Sequence, residues 1–174
     1  MRRNQGFTIV ELLIVIVVIA ILAAITIVAY NGIQQRARDN VCKSDVATII
    51  NALHLYQIDN GPMHTGSGCG ASGNGSGYFN YNYALPGGNM NECLKSQGYL
   101  SATIQDPNNV ASCAVGDLNC RKYMKYTCSQ SGVINTYVYA NLETIGHTSS
   151  DTDGTCSTNS DTDYGMNYYV KISY

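Results

Sequence analysis

A single carboxylate, Glu11, lies at the start of the most apolar part of the chain. From Leu12 to Tyr30 the sequence LLIVIVVIAILAAITIVAY has 19 residues and no charge. Burying an unpaired carboxylate in an apolar medium costs several kcal/mol, so this position needs a cationic partner or access to the membrane surface. The chemistry that Glu11 offers is ion pairing, and a carboxylate that reaches the lipid headgroups is the alternative.

A second group of oxygen ligands lies near the C-terminus, in Asp151-Thr152-Asp153-Gly154-Thr155. Carboxylates on alternate residues, followed by a glycine turn, suit the coordination of calcium. The third acidic position and the distal bidentate glutamate of a calcium loop are missing, but Asp161 and Asp163 could complete a looser site. Asp151, Asp153, Asp161 and Asp163 are therefore candidate calcium ligands, and a solvated acidic loop is the alternative.

Arg121, Lys122 and Lys125 form a small basic group at the predicted start of a strand. The net charge of the whole chain is −2, which gives no general attraction to nucleic acid. Three cations add little affinity for DNA at physiological salt. DNA is thus a possible partner that the charge does not support, and a solvated strand face is the simpler interpretation.

The three histidines do not form a catalytic pattern. His54 lies in a predicted helix, and His64 and His147 lie in predicted loops. No serine–histidine–aspartate or cysteine–histidine arrangement can be argued from these positions. The sequence predicts no enzyme and no required cofactor, with calcium as the possible exception.

Six of the seven cysteines lie beyond residue 60, and none is spaced as C-x-x-C, so zinc-finger and thioredoxin spacings are missing. Scattered cysteines in a small polar domain favour disulfides in an oxidising compartment, and buried free thiols are the alternative. Cys42 is the predicted odd cysteine, because it alone lies in the helical part. Proximity alone suggests the pairs Cys113–Cys120 and Cys128–Cys156. The disulfide candidates are Cys69, Cys93, Cys113, Cys120, Cys128 and Cys156.

The apolar run that follows Glu11 must position this carboxylate. As a helix, the run has a length close to the thickness of the bilayer core. A helix over Leu12 to Tyr30 spans roughly 29 Å, close to the bilayer core of about 30 Å. The run exceeds the apolar region of a secretory signal peptide, which has about 7 to 15 residues. A lone strand cannot satisfy its backbone in lipid, so a helix is predicted despite the many β-branched residues. The cysteine-rich remainder favours an outside location for the C-terminal side.

Helical spacing continues beyond Asn31-Gly32 and predicts an amphipathic helix that packs on an apolar partner. Asp59-Asn60-Gly61-Pro62 predicts its end, so Phe7 to Asp59 could form one helix of about 53 residues, roughly 80 Å long. The apolar positions of this second half are Ile33, Ala37 and Val41, followed by Val46, Ile49, Ile50, Leu53 and Tyr56.

The rest of the chain, after the long helix, is predicted to form a small globular domain, which we call the head. Residues 61–77 hold seven glycines and predict a loop; Asn91 to Gly98 predicts a short helix, and Asp106 to Asn109 a turn. Three alternating runs rich in tyrosine and valine predict antiparallel strands whose tyrosines mostly pack the sheet, with an adhesive surface as the alternative. These runs are Lys122–Ser129, Thr136–Leu142 and Asn167–Tyr174.

The predicted fold class is α+β. A long N-terminal α-helix packs on a small antiparallel β-sheet head of three or four strands. Residues 7–30 form the hydrophobic, membrane-spanning half of the helix, and residues 31–59 its amphipathic half. Residues 60–174 form the globular head, with a glycine-rich loop after the helix and a distal cysteine loop.

The stretch Gly6-Phe7-Thr8-Ile9-Val10-Glu11-Leu12-Leu13-Ile14-Val15 resembles the processing motif of type IV pilins and of type II secretion pseudopilins. In that family a short basic leader ends in glycine, and a membrane peptidase cuts after the glycine and N-methylates the new first residue. The resemblance implies a cleaved leader of residues 1–6, a cut between Gly6 and Phe7, and the pilin fold. It is close over residues 2–30 and architectural beyond them; an ordinary signal-anchor helix is the alternative.

The resemblance also implies a role in assembly for Glu11. In the family, the glutamate at this place pairs with the amino terminus of a neighbouring subunit. An α-amino group has an unperturbed pKa of about 7.7 to 8.0, so the new amino group on Phe7 would be cationic near neutral pH. Pairing of the two groups lowers the energetic cost of placing each charge in a low-dielectric core.

The implied function is that of a structural subunit of a type IV pilus, which serves adhesion, twitching motility or DNA uptake. The precursor would lie in the cytoplasmic (inner) membrane and the product in a filament at the cell surface. Implied partners are copies of the chain in a helical filament, the prepilin peptidase and the inner-membrane assembly machinery. The alternatives are a pseudopilin of a secretion or competence system, and, outside the family, a membrane-anchored adhesion domain that does not polymerise.

The chain departs from the family pattern in two places. Many members have a proline midway along the membrane helix, whereas this chain has only Thr26 and Asn31-Gly32 as helix-weakening positions. Many heads close one loop with two cysteines, whereas this chain has seven. Any local melting of the helix during assembly would therefore be expected nearer Gly32.

Overall fold

The computed structural model describes residues 6–61, 69, 77–79, 89–109, 116–130, 133–147 and 160–172. The chain divides into two units, Met1–Ala37 and Arg38–Tyr174. The secondary-structure elements, in chain order, are α1 (Ile9–Asn60), β1 (Gly77–Tyr78), α2 (Met90–Ser96), β2 (Met124–Gln130), β3 (Val133–Ala140), α3 (Ser160–Tyr164) and β4 (Tyr168–Ile172).

The four strands form one antiparallel sheet in the order β1-β2-β3-β4. In its centre Tyr126 is opposite Tyr137, and Val138 is opposite Val170. The α+β fold class and the three- or four-stranded sheet are confirmed. The two-residue β1 and the five-residue α3 were not predicted, because segments this short within loops rich in Gly, Ser and Asp show no periodicity.

One face of α1 packs on the sheet within the second unit. The buried helix positions recur in steps of three and four, as an amphipathic helix requires, and Val46, Ile49 and Leu53 have no exposed surface. They join Tyr123, which directly precedes β2, and Val138 of β3 in one core cluster. The predicted packing of the amphipathic half is confirmed for this face.

Ile33, in the first unit, and Val41, in the second, are exposed, although the sequence places them in the same apolar series as the buried positions. Their exposed fractions are 64% and 46%. The reason is the step of five residues from Val41 to Val46, which turns the direction of the side chain by roughly 140° around the helix. The helix therefore carries two apolar faces, of which one is buried by the sheet.

A second core cluster contains the buried side chains of Tyr137 and Tyr139. Their rings lie 6.0 Å apart between centroids, and the ring of Tyr169 lies 5.8 Å from that of Tyr137. Met124 and Met166 belong to the same cluster. Burial of these tyrosines supports the packing role over an adhesive role for the strand aromatics.

Polar contacts hold the start of the helix in the second unit to the segment after β3. Asp39 is 3% exposed, and its carboxylate accepts hydrogen bonds from the backbone N–H groups of Glu143 (2.7 Å) and Thr144 (2.9 Å) and from the Thr144 hydroxyl. Arg38 donates two bonds, of 2.6 and 2.7 Å, to the carboxylate of Glu143. These bonds fix the register of α1 on the head.

The ends of both longer helices follow the expected capping chemistry. α1 ends at Asn60, and Gly61 has φ +84°, a left-handed conformation that glycine adopts without strain. The Asn89 side chain accepts a bond from the N–H of Glu92 at the start of α2, and Gly98, also at φ +84°, follows its end. The predicted helix ends are thus confirmed within two residues.

Candidate functional site

The residues at the expected cleavage point precede α1 and are open to solvent. Phe7 is 85% exposed, and Gly6 is exposed beside it. A Cβ atom built on Gly6 would meet no other atom within 4 Å. The chain's own packing therefore does not require glycine at this position, which leaves recognition by another molecule as a reason for it.

Thr8 and Glu11 form a capping box at the start of α1. The Glu11 carboxylate accepts bonds from the backbone N–H of Thr8 (2.8 Å) and from its hydroxyl (2.6 Å), while the N–H of Glu11 donates to the Thr8 hydroxyl oxygen (3.2 Å). This arrangement satisfies N–H groups that no helical carbonyl can reach. Thr8 is a site residue that the sequence interpretation missed, although its signal, Thr-x-x-Glu ahead of an apolar run, is present.

The apolar half of α1 has no buried side chain among its described residues. Its large apolar side chains from Leu12 to Ile27 are exposed around the whole circumference of the helix, by 47% at Val17 and Val18 to 63% at Ile25. The most apolar window has mean hydropathy 3.4, and α1 is long and apolar enough to cross a membrane by length and composition. A helix that is apolar on every side needs lipid or other helices around it.

The helix continues through its expected weak points. The Thr26 hydroxyl donates to the carbonyl of Ala23 (2.9 Å), so its polar group is satisfied within the same turn. Asn31 and Gly32 lie inside α1. Whether this part melts during assembly stays a prediction.

Two of the four candidate calcium ligands, Asp151 and Asp153, lie outside the described residues. Asp161 is 1% exposed, and its carboxylate contacts Nδ1 of His147 at 2.5 Å, whereas the backbone carbonyl of Asp163 accepts from the N–H of Gly116 (2.6 Å). Among the described residues no group of three or more His, Cys, Asp or Glu side chains could hold a metal ion. Calcium binding stays a prediction, and one oxygen of the Asp161 carboxylate is bonded to His147.

The structure joins Cys69 to Cys93, a pair that proximity in sequence did not suggest. The bond ties residue 69 of the glycine-rich segment to α2. Cys120 is also disulfide-bonded. Cys113 and Cys156 lie outside the described residues, and the Cys128 side chain is not described, so the pairs Cys113–Cys120 and Cys128–Cys156 stay predictions.

Cys42 is a buried free thiol on the sheet-facing side of α1. Its sulfur donates to the Asp106 carboxylate at 3.3 Å, and burial, with Asp106 beside it, raises the pKa of the thiol to about 12. The thiol therefore stays protonated and unreactive at neutral pH.

The predicted solvated face at Arg121, Lys122 and Lys125 is wrong. Lys125 has no exposed surface and Lys122 is 8% exposed, while Arg121 donates to the carbonyl and side-chain oxygens of Asn141 (2.9 and 3.1 Å). Burial lowers the pKa of Lys125 to about 8. Lys125 is opposite Val138 in the sheet, so its side chain lies on the face that packs in the core cluster with α1. These cations form no exposed basic patch for DNA.

The fold and the N-terminal geometry define a class: a membrane-length helix with an accessible Gly-Phe junction that carries a small disulfide-bonded antiparallel head. Comparisons with known proteins agree. Residues 1–27 match the family model described as "Prokaryotic N-terminal methylation motif".

Among curated relatives, the chain is 45% identical over 60 residues to the "Type IV wide pilus major component PilA4" of Thermus thermophilus. It is 37% identical over 59 residues to the "Type II secretion system core protein G" of Aeromonas hydrophila and 34% identical over 58 residues to the protein of that name from Escherichia coli. These alignments cover 34%, 34% and 33% of this chain and 46%, 41% and 40% of the relatives.

The chain thus spans less than half the length of the curated relatives it matches. No solved structure gave a significant match. The matches support the type IV pilin and type II secretion pseudopilin family that the N-terminal motif indicates, and they lie in the N-terminal third of the chain.

Proposed function

We propose that the chain is a structural subunit of a surface filament of the type IV pilus kind, assembled after removal of residues 1–6. The observation that carries this proposal is the helix half of residues 12–27, whose described apolar side chains are exposed on every side of the helix. In the membrane lipid covers these side chains, and in a filament the helices of other copies cover them. The role is structural rather than enzymatic.

Processing would change the charge balance at the start of α1. In the described state Glu11 is satisfied by its own capping box with Thr8. A cut after Gly6 creates a cationic amino group on Phe7, one turn before Glu11. In a low-dielectric filament core this amino group needs an anion, and Glu11 of a neighbouring copy is proposed to supply it.

A second candidate function is that of a pseudopilin in a secretion system. It is favoured by the relatives named as type II secretion system core protein G, which match the same N-terminal stretch. Both functions use a processed, polymerising subunit. Long sheared surface fibres support a pilus, and short assemblies that stay with the envelope support a pseudopilus.

The proposal is tested by Glu11→Val with Thr26→Val as the matched control. Both changes place valine in the apolar helix, but only Glu11→Val removes the carboxylate, and the Thr26 hydroxyl already bonds within its own turn. Cells with Glu11→Val should hold normal amounts of chain in the membrane and give few or no sheared fibres, whereas Thr26→Val should give normal fibres. Normal fibre yield from Glu11→Val would contradict the proposed role of Glu11.

A further inference from the structure

Two carboxylates on different segments are connected through the side chains of Cys42 and Tyr123. The Cys42 sulfur lies 3.3 Å from Oδ2 of Asp106, in the segment after α2. The hydroxyl of Tyr123, the residue before β2, lies 2.6 Å from Oδ2 of Asp45 on α1. The Cys42 thiol and the Tyr123 hydroxyl also interact with each other. The four side chains follow one another in the order Asp106, Cys42, Tyr123, Asp45, and we call them the junction chain.

The junction chain lies in the interior of the second unit and reaches solvent at one end. Asp106, Cys42 and Tyr123 are buried, whereas Asp45 is partly exposed. Two neighbouring carboxylates in a low-dielectric interior resist being ionised together. Burial raises the pKa of Asp45 and the charge of Asp106 raises it further, against the hydrogen bond from Tyr123. The surroundings therefore favour a proton on this pair.

The hydrogens available to the junction chain lead to the same conclusion. The thiol and the hydroxyl carry one hydrogen each. With both carboxylates ionised, each hydrogen bonds to a carboxylate, and the contact between Cys42 and Tyr123 has none. A third hydrogen, on either Asp45 or Asp106, lets all three contacts be hydrogen bonds that run in one direction along the chain. The protonated arrangement thus satisfies one more contact and carries one negative charge fewer.

The charges on the surrounding elements do not take the place of this proton. Asp39 adds negative charge near Cys42. Arg38 is influenced by the charge of Asp106, but its guanidinium bonds to Glu143 at 2.6 and 2.7 Å. The other cations on the packed elements are Lys43, whose charge acts on Asp39, and Lys125 of β2, whose pKa is lowered by burial.

We propose that Asp45 and Asp106 share one proton through Cys42 and Tyr123, and that this proton ties α1 to the start of β2 and to the segment after α2. When the pH rises and the proton leaves through Asp45, two carboxylates oppose each other and the tie weakens. Asn108, in the same segment as Asp106, donates to Glu143 at 2.7 Å, so the junction extends to the segment after β3. The head thus contains a joint that responds to protons.

Nuclear magnetic resonance of the full chain in micelles, with isotope-labelled aspartate carboxyl carbons, tests the shared proton. The carboxyl carbons of Asp45 and Asp106 should titrate together with a midpoint above the ordinary value of about 3.9, because one proton serves both groups. Tyr123→Phe removes the central hydroxyl and should separate the two titrations. Tyr99→Phe is the matched control and should leave them coupled, because the Tyr99 hydroxyl also donates to an aspartate of α1, Asp59 at 2.8 Å, but outside the junction chain.

Cys42 gives a second comparison if Tyr123→Phe fails to fold. Cys42→Ser keeps a group that donates and accepts, so the coupled titration should persist. Cys42→Ala interrupts the junction chain and should separate the two titrations. Coupling that survives both Tyr123→Phe and Cys42→Ala would overturn the inference.

Urea unfolding of the full chain in micelles measures what the proton does to stability. Asp45→Asn is the reference, since it removes the titration of the pair and keeps the contributions of Asp39 and Glu143. The unfolding constant of wild type, divided by that of Asp45→Asn, should rise by up to about tenfold per pH unit where the pair releases its proton. A ratio that does not change with pH, or separate titrations of Asp45 and Asp106 at or below the ordinary value, would overturn the inference and leave the proposed function intact.

Discussion

The hydroxyl of Thr8 donates a 2.6 Å hydrogen bond to the carboxylate of Glu11, whose own N–H donates back to the hydroxyl oxygen. The one acid of the apolar helix half is therefore satisfied by its own chain before any partner is present. These bonds satisfy part of the hydrogen-bonding capacity of the carboxylate, while its negative charge has no cationic partner among the described residues. Under the proposed assembly, Glu11 would exchange Thr8 for the amino group of a neighbouring copy.

Replacing Thr8 tests this capping box. Thr8→Val removes the hydroxyl that makes two of the three bonds and should destabilise the first turn of α1 by about 1 kcal/mol. Amide hydrogen exchange at Glu11 and Leu12 of the full chain in micelles should become about fivefold faster. Thr8→Ser keeps a hydroxyl and should retain slow exchange; equal exchange rates for Thr8→Val and wild type would show that the box does not stabilise the helix start.

Asp39→Ala should destabilise the head by about 3 kcal/mol, because it leaves two backbone N–H groups and the Thr144 hydroxyl without their acceptor. Urea unfolding of the full chain in micelles measures this loss. Asn40→Ala is the matched control, since Asn40 is the exposed neighbour on the same helix and should change stability by less than about 0.5 kcal/mol. A small effect of Asp39→Ala would mean that water replaces these bonds.

Acid should weaken the attachment of α1 to the segment after β3. Burial alone would raise the pKa of Asp39, but hydrogen bonds from Thr144 and Glu143 have the larger effect and hold this pKa below its usual 3.8. The hydrogen bonds from Arg38 lower the pKa of Glu143 from 4.5. Stability from groups with lowered pKa is fully present above the unfolded values and is lost as the pH falls through the folded values. Urea unfolding of the head should therefore show falling stability below about pH 4.5.

Protonation of Asp45 should change the stability of the head in the opposite direction to protonation of Asp39 and Glu143. Burial raises its pKa above 3.8, against the 2.6 Å hydrogen bond from the Tyr123 hydroxyl. The folded state then binds the proton more tightly, so the contribution of Asp45 to stability declines as the pH rises from 3.8 through the folded pKa. Asp45→Asn should thus lose stability more steeply on acidification than wild type, and an identical pH profile for the two proteins would contradict this account.

Replacing both cysteines of the Cys69–Cys93 bridge with serine should lower the stability of the head by about 3 kcal/mol, the value expected for a loop of this size. The bridge closes a separation of 24 residues. Thermal unfolding of the double variant, compared with oxidised wild type, measures the effect. An unchanged melting temperature would show that the glycine-rich segment needs no covalent tie.

Calcium addition to the purified chain tests the acidic loop. If Asp151 and Asp153 bind calcium with Asp161 and Asp163, millimolar calcium should raise the melting temperature, and a chelator should reverse the rise. Asp153→Asn should abolish the response. No shift with calcium would leave these residues as a solvated acidic loop, with Asp161 held by His147.

The long helix, its end at Gly61 and the antiparallel strands follow from local periodicity and turn chemistry, which the sequence displays directly. The faces of α1 were harder to assign, because the series from Ile33 to Tyr56 changes direction between Val41 and Val46. Lys125 and the Cys69–Cys93 bond depend on contacts between distant segments: strand alternation places the lysine in the core, and α2 brings Cys93 to Cys69. The capping box is present in the sequence as Thr-x-x-Glu, whereas the interpretation from sequence considered only the charge of Glu11.

The central claim is that the chain leaves the membrane as a processed, polymerised subunit. Electron microscopy of the sheared surface fraction, combined with N-terminal mass analysis, tests it most directly. The account predicts fibres that contain this chain beginning with N-methylated Phe7. A chain that stays in the membrane fraction with residues 1–6 attached, and a sheared fraction without fibres of this chain, would contradict it.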